Sequence, residues 1–265
     1  MFTKFRRRSL LVALASLTFA GVASTASATH SWGGYHWART ANPFTIKLGD
    51  NVSSAWDSAL NDASTDWSYS EVLDTSVVPG SANPKNCRAT AGRVEVCNST
   101  YGNNGWLGVA SIWITGGTHI AQGTVKLNDT YFNRAQYNTS AWRALVACQE
   151  IGHTFGLDHQ DTNFNNANLG TCMDYTNDPS ANQDPNDHDF AELDIIYAHL
   201  DGSTTIGQSA RNSFAVDVDH NDPRSWGQLV KQSNGGRTAI YELDLGGGSK
   251  IVTFVIWTLE ARGNR

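Results

Sequence analysis

One short helix that has to stop at a glycine, with chemistry-bearing residues on both sides of the stop, constrains this chain more than any other feature. The segment is Cys148-Gln149-Glu150-Ile151-Gly152-His153-Thr154-Phe155-Gly156-Leu157-Asp158-His159. A helix is predicted over Thr139 to Phe155. Thr139 or Ser140 is suited to cap it, and Trp142, Val146, Gln149 and His153 follow one another along a single face. Gly156 suits the left-handed conformation that ends helices. Gln149 and His153 lie one turn apart, so both side chains can point at a common ion. Glu150, three residues before His153, lies beside that face. The bend at Gly156 brings His159 back toward the same place without another helical turn.

These residue types match one chemistry. Zinc takes neutral imidazole nitrogens in a tetrahedral site that leaves a position for water. It lowers the pKa of that water and polarises a peptide carbonyl. A carboxylate that is not a ligand, here Glu150, can take the proton from the water and pass it on to a leaving amine. With residue usage of a few per cent each, Glu, His, Gly and His at these four spacings recur by chance in on the order of one chain in a thousand of this length.

The segment resembles the metzincin signature H-E-x-x-H-x-x-G-x-x-H, which is followed later by a methionine-containing turn. Thr171-Cys172-Met173-Asp174-Tyr175 matches that turn. Within the metzincins the chain is most similar to the matrixins, through the strand ending Gly123-Thr124-Val125-Lys126-Leu127-Asn128 and through its helix lengths. The resemblance covers roughly residues 40–200. It implies an α+β fold: a twisted mixed sheet with two long helices, a Met turn and a C-terminal helix. It also implies one catalytic Zn2+ and hydrolysis of peptide bonds, with Glu150 as general base and then acid. Met173 inherits the role of a hydrophobic floor beneath the metal. Tyr175 inherits that of a phenol that approaches the metal or the oxyanion, and its plain alternative is a packing tyrosine.

Where the signature has its first histidine this chain has Gln149. An amide oxygen is a weaker donor to zinc than imidazole. Three readings stay open: Gln149 coordinates through its oxygen; Asp161, Tyr175 or a second water completes the site; or no metal binds. The last leads to the rival function, a non-catalytic secreted binding protein on the same scaffold. If the Met turn underlies the metal helix, Cys148 and Cys172 are brought together and a disulfide locks helix to floor. Asp161-Thr162-Asn163-Phe164-Asn165 is similar to the start of a calcium loop, without the glutamate at its twelfth position.

The remaining regions set compartment and architecture. Lys4, Arg6, Arg7 and Arg8 precede a short apolar run from Leu10 to Ala23, and Ala26-Ser27-Ala28 is a cleavage signal. Residues 1–28 are therefore a signal peptide and the chain is expected to be secreted, by either the Sec or the twin-arginine route. Removing them takes four positive charges and no acid from a net charge of −6, leaving −10. So acidic a chain has no electrostatic footprint for nucleic acid or for an anionic membrane. Extracellular proteins or peptides are its expected substrates, and the chain is expected as a monomer. Four cysteines in an exported protein allow three connectivities. Cys87–Cys97, closing a short loop, is the expected partner to Cys148–Cys172.

Strands are read at 44–48, 71–78, 93–96, 109–115 and 120–127, and an amphipathic helix at 53–67 is capped by Ser53 or Ser54. A third helix is read at 187–200. Thr29 to Trp37 is expected across the surface of a catalytic domain spanning 29–200. Residues 201–265 form a β-rich extension whose hairpin, 237–245 and 251–258 about a Gly-rich turn, must pack on the main domain or pair with another strand. Outside the helix motif, His30, His36, His119, His188, His199 and His220 form no second ligand cluster by spacing and are expected as surface or hydrogen-bonding histidines.

Overall fold

The apolar, β-branched runs all enter a single sheet. The computed structural model describes residues 30–161, 163–207, 216–233 and 235–263; residues 1–28, read above as a signal peptide, lie outside them. Its strands are β1 (His36–Trp37), β2 (Phe44–Asn51), β3 (Leu73–Pro79), β4 (Val94–Ser99), β5 (Trp106–Thr115), β6 (His119–Asn128), β7 (Gln228–Gln232), β8 (Thr238–Gly246) and β9 (Ser249–Trp257). They order as β3-β2-β4-β6-β5-β9-β8-β7, with β1 added beside β6. The β3, β2, β4, β6 half is parallel, and everything from β5 outward is antiparallel. The helices are α1 (Asp57–Trp67), α2 (Asp129–Phe132), α3 (Ser140–His153) and α4 (Asp187–Ile196). The fold is a mixed α+β one with few helices.

The central strands read as near-continuous apolar runs because they are covered on both faces. In β9, Val252, Phe254 and Ile256 join the large core beneath the helices. Alternate residues Ile251, Val255 and Trp257 join a smaller core with Trp106, Trp113 and Trp226. Pairing along β5 from Trp106 to Ile114 makes the C-terminal hairpin part of the main sheet. A two-stranded hairpin alone is marginal in water, so this pairing is what stabilises it.

Several boundaries move for local reasons. The first helix starts at Asp57, not Ser53. Trp56 occupies the cap position without a side-chain cap bond, and the Ser53 amide donates to Asn98 instead. The helix at 187 ends at Ile196 because Tyr197 leaves helical geometry. The aromatic N-terminal segment is divided: Gly33 and Gly34 are exposed, while Tyr35, His36 and Trp37 are buried, and the Trp37 indole donates to the Thr154 carbonyl at 2.9 Å. Strands β1 and β7 and the short α2 carry no periodicity long enough to be read from sequence. Both expected disulfides, Cys87–Cys97 and Cys148–Cys172, are formed.

Gly156 has φ +96°, and a Cβ there would stand 2.0 Å from the Tyr35 carbonyl oxygen. Gly156→Ala is therefore expected to cost about 3 kcal/mol or more, from backbone strain and the clash together. Chemical denaturation measures this, and a loss below ~1 kcal/mol would contradict the tight approach.

Candidate metal centre

Helix α3 is capped by Thr139, whose hydroxyl accepts from the Trp142 amide at 3.2 Å. Its C-terminal end is held from two sides. The Trp32 amide donates to the Gly156 carbonyl at 2.9 Å, and Ser31 bridges to Leu157. The Gln160 amide donates to the Met173 carbonyl at 2.8 Å. These bonds set the bend after Gly156 and return His159 toward the helix face.

Of the residues the motif singled out, the structure brings His153, His159 and Tyr175 into contact. The His153 and His159 rings lie 4.5 Å apart, centroid to centroid, and roughly perpendicular. The Nδ1 of His153 is 2.9 Å from the Leu157 carbonyl, which fixes it as the protonated nitrogen and leaves Nε2 as the lone-pair donor. Gln149 donates through Nε2 to the Cys172 carbonyl at 2.8 Å. Its Oε1 is buried without a partner, as are Glu150 Oε2 and both ring nitrogens of His159. Asp158 Oδ1 sits 3.4 Å from His159 Nδ1, outside hydrogen-bond geometry. Buried acceptors left unpaired cost free energy. Unpaired oxygen and nitrogen atoms on Gln149 and His159, with the His153 ring 4.5 Å from that of His159, are donor types that zinc accepts.

Burial is nearly complete. Gln149, Glu150 and His153 are each 1 % exposed and His159 6 %. It holds the His153 imidazole well below its ordinary pKa, with His159 adding to the effect, and lowers His159 as well. Both rings are thus the neutral, ligand-competent form. Burial also pushes the Glu150 carboxyl well above the carboxylate range, only partly offset by a backbone hydrogen bond from Ala110. Gly108 makes the room: a Cβ there would stand 2.8 Å from Glu150 Oε1. Asp158 is also buried, which alone would raise its pKa, but His159 and Lys231 hold it below the usual carboxylate range.

Met173 is fully buried, and its Sδ stands 2.7 Å from where a Cβ of Gly152 would be. The Tyr175 ring packs on His159 at 4.2 Å and stacks on Phe164 at 4.8 Å. Burial raises its phenol pKa, partly offset by the nearby Thr238 side chain. In the segment similar to the start of a calcium loop, the Asp161 and Asn163 side chains accept from the amides two residues on, as turn-forming residues do.

Three contributors were illegible in the motif. Phe254 of β9 stacks face to face on His153 at 4.4 Å, with 8° between the rings. Lys231 of β7 pairs with Asp158, and Thr238 of β8 reaches Tyr175. The C-terminal strands therefore form one wall of the centre. The expectation of no second histidine cluster is overturned, because His36, His119 and Asp201 converge at one point with His199 beside them. The local signal was His199-Leu200-Asp201, two ligand types two residues apart just beyond α4. His36 and His119 gave none, because strand pairing alone brings them there. His30, by contrast, bonds Asp189 at 3.0 Å as expected of a hydrogen-bonding histidine, and His220 is buried against Lys126 and Ser111.

No protein-family model matches the chain, and no curated protein matches it in sequence. Among solved structures, one that it matches is high choriolytic enzyme 1, a hatching-enzyme zinc-protease from the medaka fish Oryzias latipes. That match has 12% identity and a TM-score of 0.33, over 64% of this chain and 98% of that one. A likeness at that score is too distant in shape to define a shared fold.

Proposed function

We propose that this chain is a secreted zinc-dependent endopeptidase in which Gln149, His153 and His159 hold the metal and Glu150 moves the proton. The observation that carries this reading is the buried, unpartnered Oε1 of Gln149 one helical turn from His153, whose ring lies 4.5 Å from that of His159, with Glu150 Oε2 unpartnered as well. When bound, zinc supplies a Lewis acid that polarises a peptide carbonyl and makes water a nucleophile near neutral pH. Glu150 accepts a proton at Oε2, in surroundings that make it a stronger base than an exposed carboxylate, and returns it to the leaving amine. Tyr175, packed on His159, would donate a hydrogen bond to developing negative charge. Asp158 and Lys231 brace the loop that carries His159. The Cys148–Cys172 disulfide keeps the Cys172 carbonyl where Gln149 Nε2 needs it.

A second reading rests on Phe254. Its ring covers His153, and the centre is shut off from solvent on that side. A centre closed in this way suits a non-catalytic binding protein whose zinc is structural. Casein hydrolysis by protein purified without chelator, before and after zinc removal, separates the two. Hydrolysis that disappears with the metal and returns with added zinc is expected; zinc-loaded protein without any hydrolysis favours the second reading.

A further inference from the structure

We propose that His36, His119, His199 and Asp201 form a second zinc site, structural rather than catalytic, that clasps three distant parts of the chain. The ligand atoms face one another. Nε2 of His119, His36 and His199 stand 3.2, 3.5 and 3.7 Å from the same oxygen, Asp201 Oδ1. His36 and His199 are 3.2 Å apart through their Nε2 atoms. Ligands held at 2.0–2.1 Å around a tetrahedral zinc lie about 3.4 Å from one another; the ligand atoms of His36, His119 and Asp201 all lie within 4.8 Å of one another, and His199 stands beside them as the fourth.

The surroundings prepare each ligand. Nδ1 of His36 is 2.8 Å from the Gly34 carbonyl, which assigns its proton there and leaves Nε2 free. Asp201 Oδ2 accepts from the Arg39 amide at 3.1 Å and from Arg39 Nη1 at 2.9 Å, so Oδ1 is left to the imidazoles. Such outer partners orient metal ligands and set their tautomers. Three Nε2 atoms crowd one carboxylate oxygen here, with a hydrogen bond between His36 and His199, and protonated rings this close would repel. His36 and Asp201 are largely buried, while the His199 side chain is 53% exposed, which gives an ion an open approach.

The site also has a structural purpose. β1 pairs with β6 through two residues only, and His36 and His119 are register partners in that pair. A pair that short contributes little by itself. An ion on both strands and on the chain beyond α4 would pin them together. Trp37, next to His36, bonds the Thr154 carbonyl just past His153, so the clasp steadies the segment that ends the catalytic helix.

The test separates this site from the one at Gln149. In a full chain carrying His153→Ala and His159→Ala, plasma mass spectrometry after gel filtration should find about one zinc per chain. Adding His119→Ala and Asp201→Asn to it should remove that zinc. Zinc retained in the quadruple variant, or absent from the folded double variant, overturns the proposal. A gentler variant guards against misfolding: His199→Ala removes only a half-exposed ring. In the double-variant background it should weaken zinc binding at least about tenfold and alter the visible bands of the cobalt-substituted protein. An unchanged affinity and spectrum would remove His199 from the site and overturn the four-ligand assignment.

Discussion

Glu150→Gln is expected to lower the rate of peptide hydrolysis by about 10²–10⁴-fold while leaving zinc content and thermal stability close to those of the parent. The substitution keeps the shape of a side chain packed against Val146 and over Gly108, so its neighbours need not move. What it removes is the proton acceptor at Oε2. Because burial already pushes the Glu150 pKa well up, the neutral amide suits the apolar surroundings at least as well as the carboxylate does. A fall in activity accompanied by loss of zinc would mean that Glu150 is a ligand. Unchanged activity would remove it from the chemistry altogether.

Gln149→His is expected to tighten zinc binding by on the order of 100-fold, since even disturbing an outer-shell partner shifts affinity 10–100-fold and this change exchanges a direct donor. An imidazole at 149 can donate through one nitrogen to the Cys172 carbonyl, as the Gln149 amide now does at 2.8 Å, and present the other to the metal. Competition with a chelator of known affinity measures the change. If retention is the same in both proteins, the unpartnered Oε1 of Gln149 does not face the ion, and the centre holds zinc through its two histidines and another group. Activity need not rise with affinity: a weaker donor leaves zinc a stronger Lewis acid, so the variant with tighter binding can turn over more slowly.

The candidate centre was legible to a large extent because its residues lie within eleven positions, 149 to 159, and because helix geometry relates them. Gln149 and His153 share a face through the 3.6-residue turn alone. Gly156 is needed because its φ is +96° and because the Tyr35 carbonyl leaves no room for a side chain. Even the Cys148–Cys172 disulfide followed once the methionine turn was placed beneath the helix. The first helix fared less well. Ser53 is a good cap by type, yet Asn98 takes its amide and the helix starts four residues later.

What the sequence by itself determined is therefore local: a capped helix, its glycine stop, the histidines on either side of it, and strands whose alternation or apolar runs mark their faces. Only tertiary structure decided that Phe254 would cover His153, that the C-terminal hairpin would extend the main sheet through β5, and that His36, His119, His199 and Asp201 would meet. The physical reason is range. A helical turn relates residues through backbone geometry that any chain shares. The order of strands in a sheet is chosen by which apolar faces are buried together, a property of the whole chain that no window of sequence contains.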